Sequence, residues 1–586
     1  MKNLYLIFRR FDKDFKHFTL KLLIMFLILG LLPIINLFAP KIIIENLSAE
    51  INLGKISFML ALVLLANTSF LILSQYHDNY FSLVFESMVD RLQFELSEKA
   101  LNLPIEKTDS KDIQDKLEKA HHSVFSILGL YETIYSVIPS LITALFSIVI
   151  LVRLSILIPL LLLVIVFVNR IFVRLIKKNE LDKQEFDVPD IRVYKYFAQF
   201  AQDFKYSKDI KTYDGEDLIL EKSKYYMDRM VDRNKLYFNK NGLYQSMMNL
   251  SSNLGIVSSL IYLTYKLVKK VISLADFTLY FNAIIQLINT INLLQKNYAS
   301  IISINENLKA YFEFMDLGEK VDKDRSYKKI DPSKLEIEFK DVSFKYPKSD
   351  TYILKSCSFK IRNGETLALV GKNGAGKSTI VKLLCKFYDP TSGKILINGI
   401  DLKDIRKEDY YKILSPTFQD FRLFAFKINE NLWAKRSRLI NQEERDETNK
   451  AMKVLKLDKW IEKNENKEET YLTNLFSKKG IEPSGGIGQK LALARSMVHK
   501  GKFFIMDEPT SALDPRSEQD IFENMLEISR GQTSLFISHR LSSTKFADRI
   551  IVCDKGHISE EGSHEELMKK DGLYRKMFLT QADLYS

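Results

Sequence analysis

Six apolar segments of bilayer-spanning length crowd the first half of this 586-residue chain, and nothing else in it limits the fold so strongly. They cover Leu20–Ile44, Ile56–Leu73, Ile127–Leu151, Leu157–Val173, Leu250–Val268 and Phe277–Leu294. Hydrocarbon offers a peptide group no hydrogen bonds, so each segment is expected to be helical. Leu4–Phe18 mixes apolar and basic residues at helical spacing and reads as an interfacial helix on the inner leaflet. Stretches such as Phe81–Leu103 and Glu180–Asn239 are too polar for lipid and read as helices that continue into the cytosol. A minimal turn around Arg153 joins the third and fourth segments. Turns near Glu106–Lys116 and Asp209–Leu220 join long helices at the end far from the membrane, where they could dock on another domain.

The formal net charge is +12. An excess of this sign often marks a nucleic-acid binder. Here Lys and Arg instead gather at the ends of the apolar segments. Arg9, Arg10, Lys13 and Lys16 precede the first, and Arg170, Arg174, Lys177 and Lys178 follow the fourth. That pattern marks the cytoplasmic side of a membrane, and no nucleic-acid partner is expected. The first apolar run is too long for a signal peptide and has no small-residue cleavage site. Cys357, Cys385 and Cys553 fit no metal-site spacing and suit a reduced compartment as small buried hydrophobes. Polar residues within the spans fall on faces: Asn282, Gln286, Asn289 and Asn292 or Lys296 on one, Gln245, Asn249, Ser252 and Asn253 on another. Unpaired amides facing lipid are costly, so these faces should meet a wet cavity or a neighbouring helix.

The charged stretch Gly318–Lys334 lacks an apolar period and reads as a linker. Beyond it, alternating segments near Leu335–Tyr346, Thr366–Val370, Lys394–Leu402, Phe503–Met506, Thr533–Ile537 and Arg549–Cys553 read as strands, with helical patterns between several of them. The expected architecture is an all-α, six-helix transmembrane domain over 1–317, a linker over 318–334 and a cytosolic α/β P-loop domain over 335–586. In the last, Gly371-Lys372-Asn373-Gly374-Ala375-Gly376-Lys377-Ser378-Thr379 follows one apolar strand and opens an apolar helix, Ile380–Phe387. Glycines let such a loop wrap phosphates, its N–H groups point inward, and the helix N-terminus adds positive potential. Lys377 should reach the β- and γ-phosphates and Ser378 should ligate Mg²⁺. Phe503–Asp507 is a buried strand ending in acids. Asp507 is placed to hold the Mg²⁺ shell, and Glu508 to act as general base on water. Gln419 could bridge Mg²⁺ or water to a neighbouring domain, His539 could contact the γ-phosphate, and Tyr346 could stack on adenine.

In this order the motifs resemble the ATP-binding cassette family, and the six-span half resembles exporters of the type IV fold. The matching pieces are Tyr346, the P-loop at Gly371–Thr379, Gln419, Ser484-Gly485-Gly486, the strand before Glu508, Ser511-Ala512-Leu513-Asp514, and His539. The resemblance implies an ATP hydrolase with ATP and Mg²⁺ as cofactors. It implies two cassettes that sandwich two ATP molecules, each P-loop facing the partner's Ser-Gly-Gly. The turns at Glu106–Lys116 and Asp209–Leu220 look like the family's coupling helices. The expected function is ATP-driven export of a peptide, lipid or amphipathic drug across the cytoplasmic membrane, as one half of a dimer embedded in lipid. A membrane-anchored ATPase that gates a pore and an importer are the rival readings. The fused order of spans and cassette argues against an importer, and Glu508 argues for productive hydrolysis.

One motif departs from the family pattern. Its signature, Leu-Ser-Gly-Gly-Gln, here reads Pro483-Ser484-Gly485-Gly486-Ile487. Ile487 removes an amide, and Pro483 stiffens the entry to the following helix. Asn474–Gly480 also lacks the acidic residue that exporters place upstream. The site this chain completes for its partner should therefore be weaker than the one built on its own P-loop, Glu508 and His539. A heterodimer is expected ahead of a homodimer. The amide-lined faces place short or modified peptides slightly ahead of drugs as cargo, and the chain is not expected to cleave a leader peptide itself.

Overall fold

The computed structural model describes residues 2–49, 53–318, 327–508, 531–538 and 541–583. The chain divides into two compact units. One holds residues 1–103 and 111–318; the other holds 104–110 together with 319–586.

The first unit is helical. Helix α1 (Lys2–Asp14) is followed by α2 (Phe18–Ala49), α3 (Leu53–Leu101), α5 (Lys111–Val124), α6 (Ser126–Leu154), α7 (Leu157–Gln202), α8 (Ser207–Thr212), α9 (Glu216–Val268) and α10 (Leu274–Met315). The short α4 (Ile105–Thr108) belongs to the other unit. The polar continuations expected from the sequence are present: α3 runs without a break from an apolar first half into the charged stretch around Glu95, Glu98 and Lys99 and ends at Leu101. Helix α7 continues through Pro189 to Gln202, and Gly215 caps α9. The stretch 180–239 is thus two helices joined by a turn that contains α8.

Among the described residues, five helical regions are long and apolar enough to cross a membrane: Phe18–Leu47, Gly54–Leu101, Lys111–Leu154, Leu157–Glu180 and Leu274–Met315. Leu250–Val268, the sixth segment expected from the sequence, is helical throughout at the end of α9 but is not among them. Ser251, Ser252, Asn253, Ser258 and Ser259 dilute its apolar character. Side chains such as Leu64, Leu71 and Ile72 of α3 stay exposed, as a lipid-facing surface requires.

Two kinds of contact hold this bundle. An aromatic core fixes α1: Phe11 stacks on Phe18 at 4.7 Å and meets Phe85 of α3 at 4.6 Å. Beside it, Arg10 donates to Glu95 of α3 at 2.6 Å and to the Tyr311 hydroxyl of α10 at 2.9 Å. Amides supply the second kind. Asn169 Nδ2 of α7 donates to Ser252 Oγ of α9 at 3.2 Å and to Asn292 Oδ1 of α10 at 3.3 Å. Asn292 closes the triangle by donating to Ser252 Oγ at 3.3 Å. Gln286 reaches the Pro33 carbonyl of α2, and Asn297 reaches Ser136 Oγ of α6. Of the two settings expected for these amides, helix-to-helix bonding takes Asn292 and Gln286, while Asn289 stays exposed.

The second unit is α/β. A four-stranded antiparallel sheet has the order β2 (Leu354–Ile361), β1 (Ile337–Phe344), β4 (Ser392–Ile397), β5 (Ile400–Asp401). A six-stranded sheet has the order β10 (His557–Gly562), β9 (Arg549–Asp554), β3 (Thr366–Gly371), β8 (Thr533–Ile537), β7 (Phe503–Asp507), β6 (Leu414–Thr417). All its neighbours run parallel except β10 against β9. Strands β7 and β8 are buried at every position, the pattern of central parallel strands covered on both faces. Ligands of such sheets bind beyond the carboxyl ends of the strands, and here the chemistry-bearing residues gather at that edge.

Candidate nucleotide site

Strand β3 ends at Gly371 and delivers the loop that opens helix α11 (Lys377–Leu384), three residues earlier than the apolar pattern suggested. Two glycines are needed by geometry. A Cβ on Gly371 would lie 2.2 Å from the Cys553 carbonyl oxygen, and Gly376 holds φ at 109° as the residue that caps α11. Lys377 is buried, and its ammonium donates to the carbonyls of Gly371 at 2.9 Å and Lys372 at 3.1 Å. Burial lowers its proton affinity, and the nearby Glu508 and Asp507 oppose that shift.

A cavity of about 460 Å³ lies over this loop, lined by Asn373, Gly374, Lys377, Ser378, Gln419 and Glu508, with Tyr346, Gly376 and Thr379 also at its wall. Gly371 and Ala375 are buried beneath it. Tyr346 shares a 3.2 Å hydrogen bond with Thr379 Oγ1, and the Lys382 ammonium lies 5.3 Å from its ring centroid. Gln419, two residues past the end of β6, donates from Nε2 to Glu508 Oε2 at 2.9 Å. Glu508, one residue past β7, sits at φ 48°, a conformation few side chains adopt without support.

Asp507 supplies the test of a divalent cation. Its Oδ1 is buried and has no hydrogen-bond partner among the described residues. Burial first, then the Glu508 charge, pushes its carboxyl up to about 6, with Lys377 opposing. An unsatisfied carboxylate oxygen in a low-dielectric site, next in sequence to Glu508, with Ser378 and Gln419 on the wall of the cavity that Glu508 lines, is a donor set that fits a hard cation such as Mg²⁺.

The structure thus brings Tyr346, Lys377, Ser378, Thr379, Gln419 and Glu508 to one cavity. Ser484, Gly485 and Gly486 do not line it. Ser484 caps the helix Gly485–Val498 by accepting from the Ile487 amide, and it is exposed together with Gly485. The Ile487 side chain packs against the core of the surrounding subdomain. His539 and Asp514, both expected at the site, lie outside the described residues. Two further contacts escaped the sequence reading. Buried Gln489 approaches the Glu508 carbonyl at 3.4 Å, and Tyr388 sits edge-on to Tyr346 at 5.4 Å between centroids. Gln489 follows the altered signature closely enough to have been noticed; nothing in the sequence around Tyr388 marks it.

The family model described as "ABC transporter" matches residues 354–511, from β2 past Glu508. The chain carries an ABC transporter domain. Such a domain binds ATP, and the ABC transporter domain here makes the chain an ATPase of that type. Along its whole length the chain is similar to the subtilin transport ATP-binding protein SpaT of Bacillus subtilis, with 29% identity over 98% of this chain and 95% of that protein. An ATP-dependent lipid A-core flippase of Pectobacterium atrosepticum is 29% identical over 65% of this chain, an alignment that spans 64% of the flippase. The corresponding flippase of Haemophilus influenzae is 34% identical over 53% of this chain and 51% of its own length. Among solved structures, a bacterial Atm1-family ABC exporter with ATP bound superposes with a TM-score of 0.82, covering 97% of this chain and 99% of that one at 22% identity. The fold is therefore that of an exporter with its helical membrane domain and ABC transporter domain fused, a multi-pass membrane protein with the nucleotide domain in the cytosol.

Proposed function

We propose that this chain is one half of an ATP-driven exporter that works by alternating access. The observation that carries the reading is the convergence of the P-loop, Gln419 and Glu508 on one cavity in a chain whose other unit is a bundle of apolar helices. In this reading Tyr346 stacks on the adenine. The amides of Asn373 to Ser378 and the Lys377 ammonium hold the phosphates, and Thr379 supports them. Mg²⁺ would be held by Ser378, Asp507 and Gln419, and it would neutralise phosphate charge. Glu508 takes a proton from the attacking water, and Gln419 orients that carboxylate. His539 at the γ-phosphate and Asp514 near the dimer seam follow from the resemblance. Ser484, Gly485 and Gly486 complete the partner's site, which agrees with the exposure of Ser484 and Gly485 and with the absence of all three from the lining of this chain's own cavity.

The partner is a second half-transporter. Loss of the signature glutamine at Ile487 favours a heterodimer with one weakened site. One observation favours a homodimer instead: Ile487 packs into the core of its own subdomain, so its side chain is accommodated without a foreign partner. Peptide cargo ranks ahead of lipid, because the relative aligned over the full length is named for subtilin transport and the flippases align over less.

Purify the chain alone in lipid nanodiscs and measure ATP hydrolysis with and without candidate peptides. Slow turnover that rises on adding a co-expressed partner supports the heterodimer. Robust turnover by the lone chain selects the homodimer. Failure of Glu508→Gln to abolish turnover in any assembly would overturn the assignment of the site.

A further inference from the structure

The residues 104–110 follow α3 and belong to the nucleotide-binding unit, where a short polar contact holds them. The Tyr388 hydroxyl donates to Asp109 Oδ2 at 2.5 Å. Tyr388 itself is buried, while Asp109 is exposed. The Tyr388 ring stands edge-on to two others, Phe344 at 5.6 Å and Tyr346 at 5.4 Å, with interplanar angles of 62° and 88°. Phe344 and Tyr346 also meet edge to face at 5.0 Å. The Tyr346 hydroxyl in turn bonds Thr379 of the P-loop helix. A groove of about 380 Å³ adjoins the cluster, lined by Glu106 of α4 and by Tyr346 and Tyr388 among others. Burial, and then the Asp109 carboxylate, hold the Tyr388 hydroxyl far above its ordinary titration range, so it is a donor at every physiological pH.

A run of four groups therefore links a surface loop to the phosphate-binding helix: Asp109, Tyr388, Tyr346 and Thr379. Close-packed aromatic rings have few alternative arrangements, so a shift of one edge displaces its neighbour. We propose that Tyr388 is a positioning residue for the nucleotide: its hydrogen bond to Asp109 sets the ring angle of Tyr346, so that seating of the 104–110 segment and binding of the base reinforce each other. The proposal rests on the reading of Tyr346 as the adenine platform. Its consequence is a dependence on the base. Losing the bond weakens ligands that use the ring and spares ligands that touch only the P-loop. By reciprocity, a nucleotide that tightens on Tyr346 holds the segment more firmly against its unit.

The test uses the full-length chain in nanodiscs. A fluorescent ATP analogue is displaced by ATP and, separately, by inorganic tripolyphosphate. Tyr388→Phe keeps the ring and removes the hydroxyl; Asp109→Ala removes the acceptor from an exposed position and guards against misfolding of the first variant. Each should weaken ATP by about three- to tenfold, the worth of one hydrogen bond, and leave tripolyphosphate unchanged. The double variant should be no worse than either single one, because both remove the same bond. ATP affinity unchanged in both variants would overturn the proposal. So would equal weakening of ATP and tripolyphosphate, which marks a general disturbance of the domain. Tyr346→Ala separates the two layers of argument. If it fails to weaken ATP selectively, the adenine platform is wrong; if it does so while Tyr388→Phe does not, only the relay is wrong.

Discussion

Gln419 Nε2 lies 2.9 Å from Glu508 Oε2, joining the end of edge strand β6 to the end of β7. Glu508 is held at positive φ by its surroundings, and this contact is part of them. Replacing Glu508 with glutamine removes the base and should slow hydrolysis by about 10²- to 10⁴-fold while ATP still binds. Gln419→Ala should cost about tenfold or more, the value of a hydrogen bond to a charged group. Phosphate release and nucleotide trapping distinguish them: Glu508→Gln traps ATP, whereas Gln419→Ala turns over slowly. Wild-type turnover in Gln419→Ala would make the contact incidental.

Lys377 gives up solvent for the interior of the P-loop and is balanced there by Glu508 and Asp507. Lys377→Ala removes the positive charge facing the phosphates and leaves the two carboxylates uncompensated. ATP affinity should fall by about ten- to a hundredfold, with tripolyphosphate falling alongside, since both use the same ammonium. Competition binding reads both.

Gly371→Ala should not yield an active protein. The new Cβ meets a main-chain carbonyl at 2.2 Å, and main chain cannot step aside as a side-chain tip can. Expected are a melting temperature several degrees lower and no detectable nucleotide binding. A well-folded Gly371→Ala variant with normal affinity would show that the loop has another available conformation.

At the far end of β3, Glu365 receives Arg549 in two hydrogen bonds, Nε to Oε1 at 2.6 Å and Nη2 to Oε2 at 2.9 Å. Burial alone would raise this carboxyl, but Arg549 and the Arg362 amide outweigh it and hold it below its ordinary value of 4.5. A carboxyl depressed by folding adds stability that is complete above that value and is lost as pH falls below it. Glu365→Gln should therefore lower stability at pH 7 by about 1–3 kcal/mol, because Arg549 loses its two charge-assisted bonds to Glu365 and keeps Glu561 and the Lys360 carbonyl. Melting curves between pH 3 and 7 should show a shallower acid limb in the variant. Parallel limbs would exclude Glu365 as a source of acid sensitivity.

The triangle of Asn169, Ser252 and Asn292 ties α7, α9 and α10 within the apolar bundle. Asn169→Ala should destabilise the helical unit by about 0.5–2 kcal/mol, the range for hydrogen bonds between helices in lipid. Thermal unfolding in detergent, followed by helix content, measures it. Asn289→Ala, on an exposed position, serves as the neutral comparison.

Much of this molecule was legible because its strongest signals are local. A bilayer-length apolar run and a nine-residue phosphate loop each carry their own structural requirement, so the helices and the turn after β3 fell where their residues indicated. Weak elements were lost for opposite reasons. Strand β6 has only four residues and includes Pro416, so it carries too little pattern to read alone; its place comes from pairing with β7. Strand β10, His557–Gly562, is an exposed charged edge whose partner β9 supplies the order. Strand β2 alternates buried and exposed positions over most of its length, so its pattern is local and legible. At the site, residue identities singled out Lys377, Gln419 and Glu508, which line one cavity. The links between them were not visible, because Tyr388 and Gln489 act through distance in space and have no motif of their own.

Residues 104–110 are synthesised between two helices of the membrane unit yet complete the nucleotide-binding unit, most of which follows residue 318. They must leave the ribosome and wait while α5 through α10 are made and inserted. A cassette cut out as 319–586 would therefore present Tyr388 with no carboxylate to meet. The nucleotide-binding unit, begun at residue 104, thus cannot be finished until the whole membrane unit has been translated.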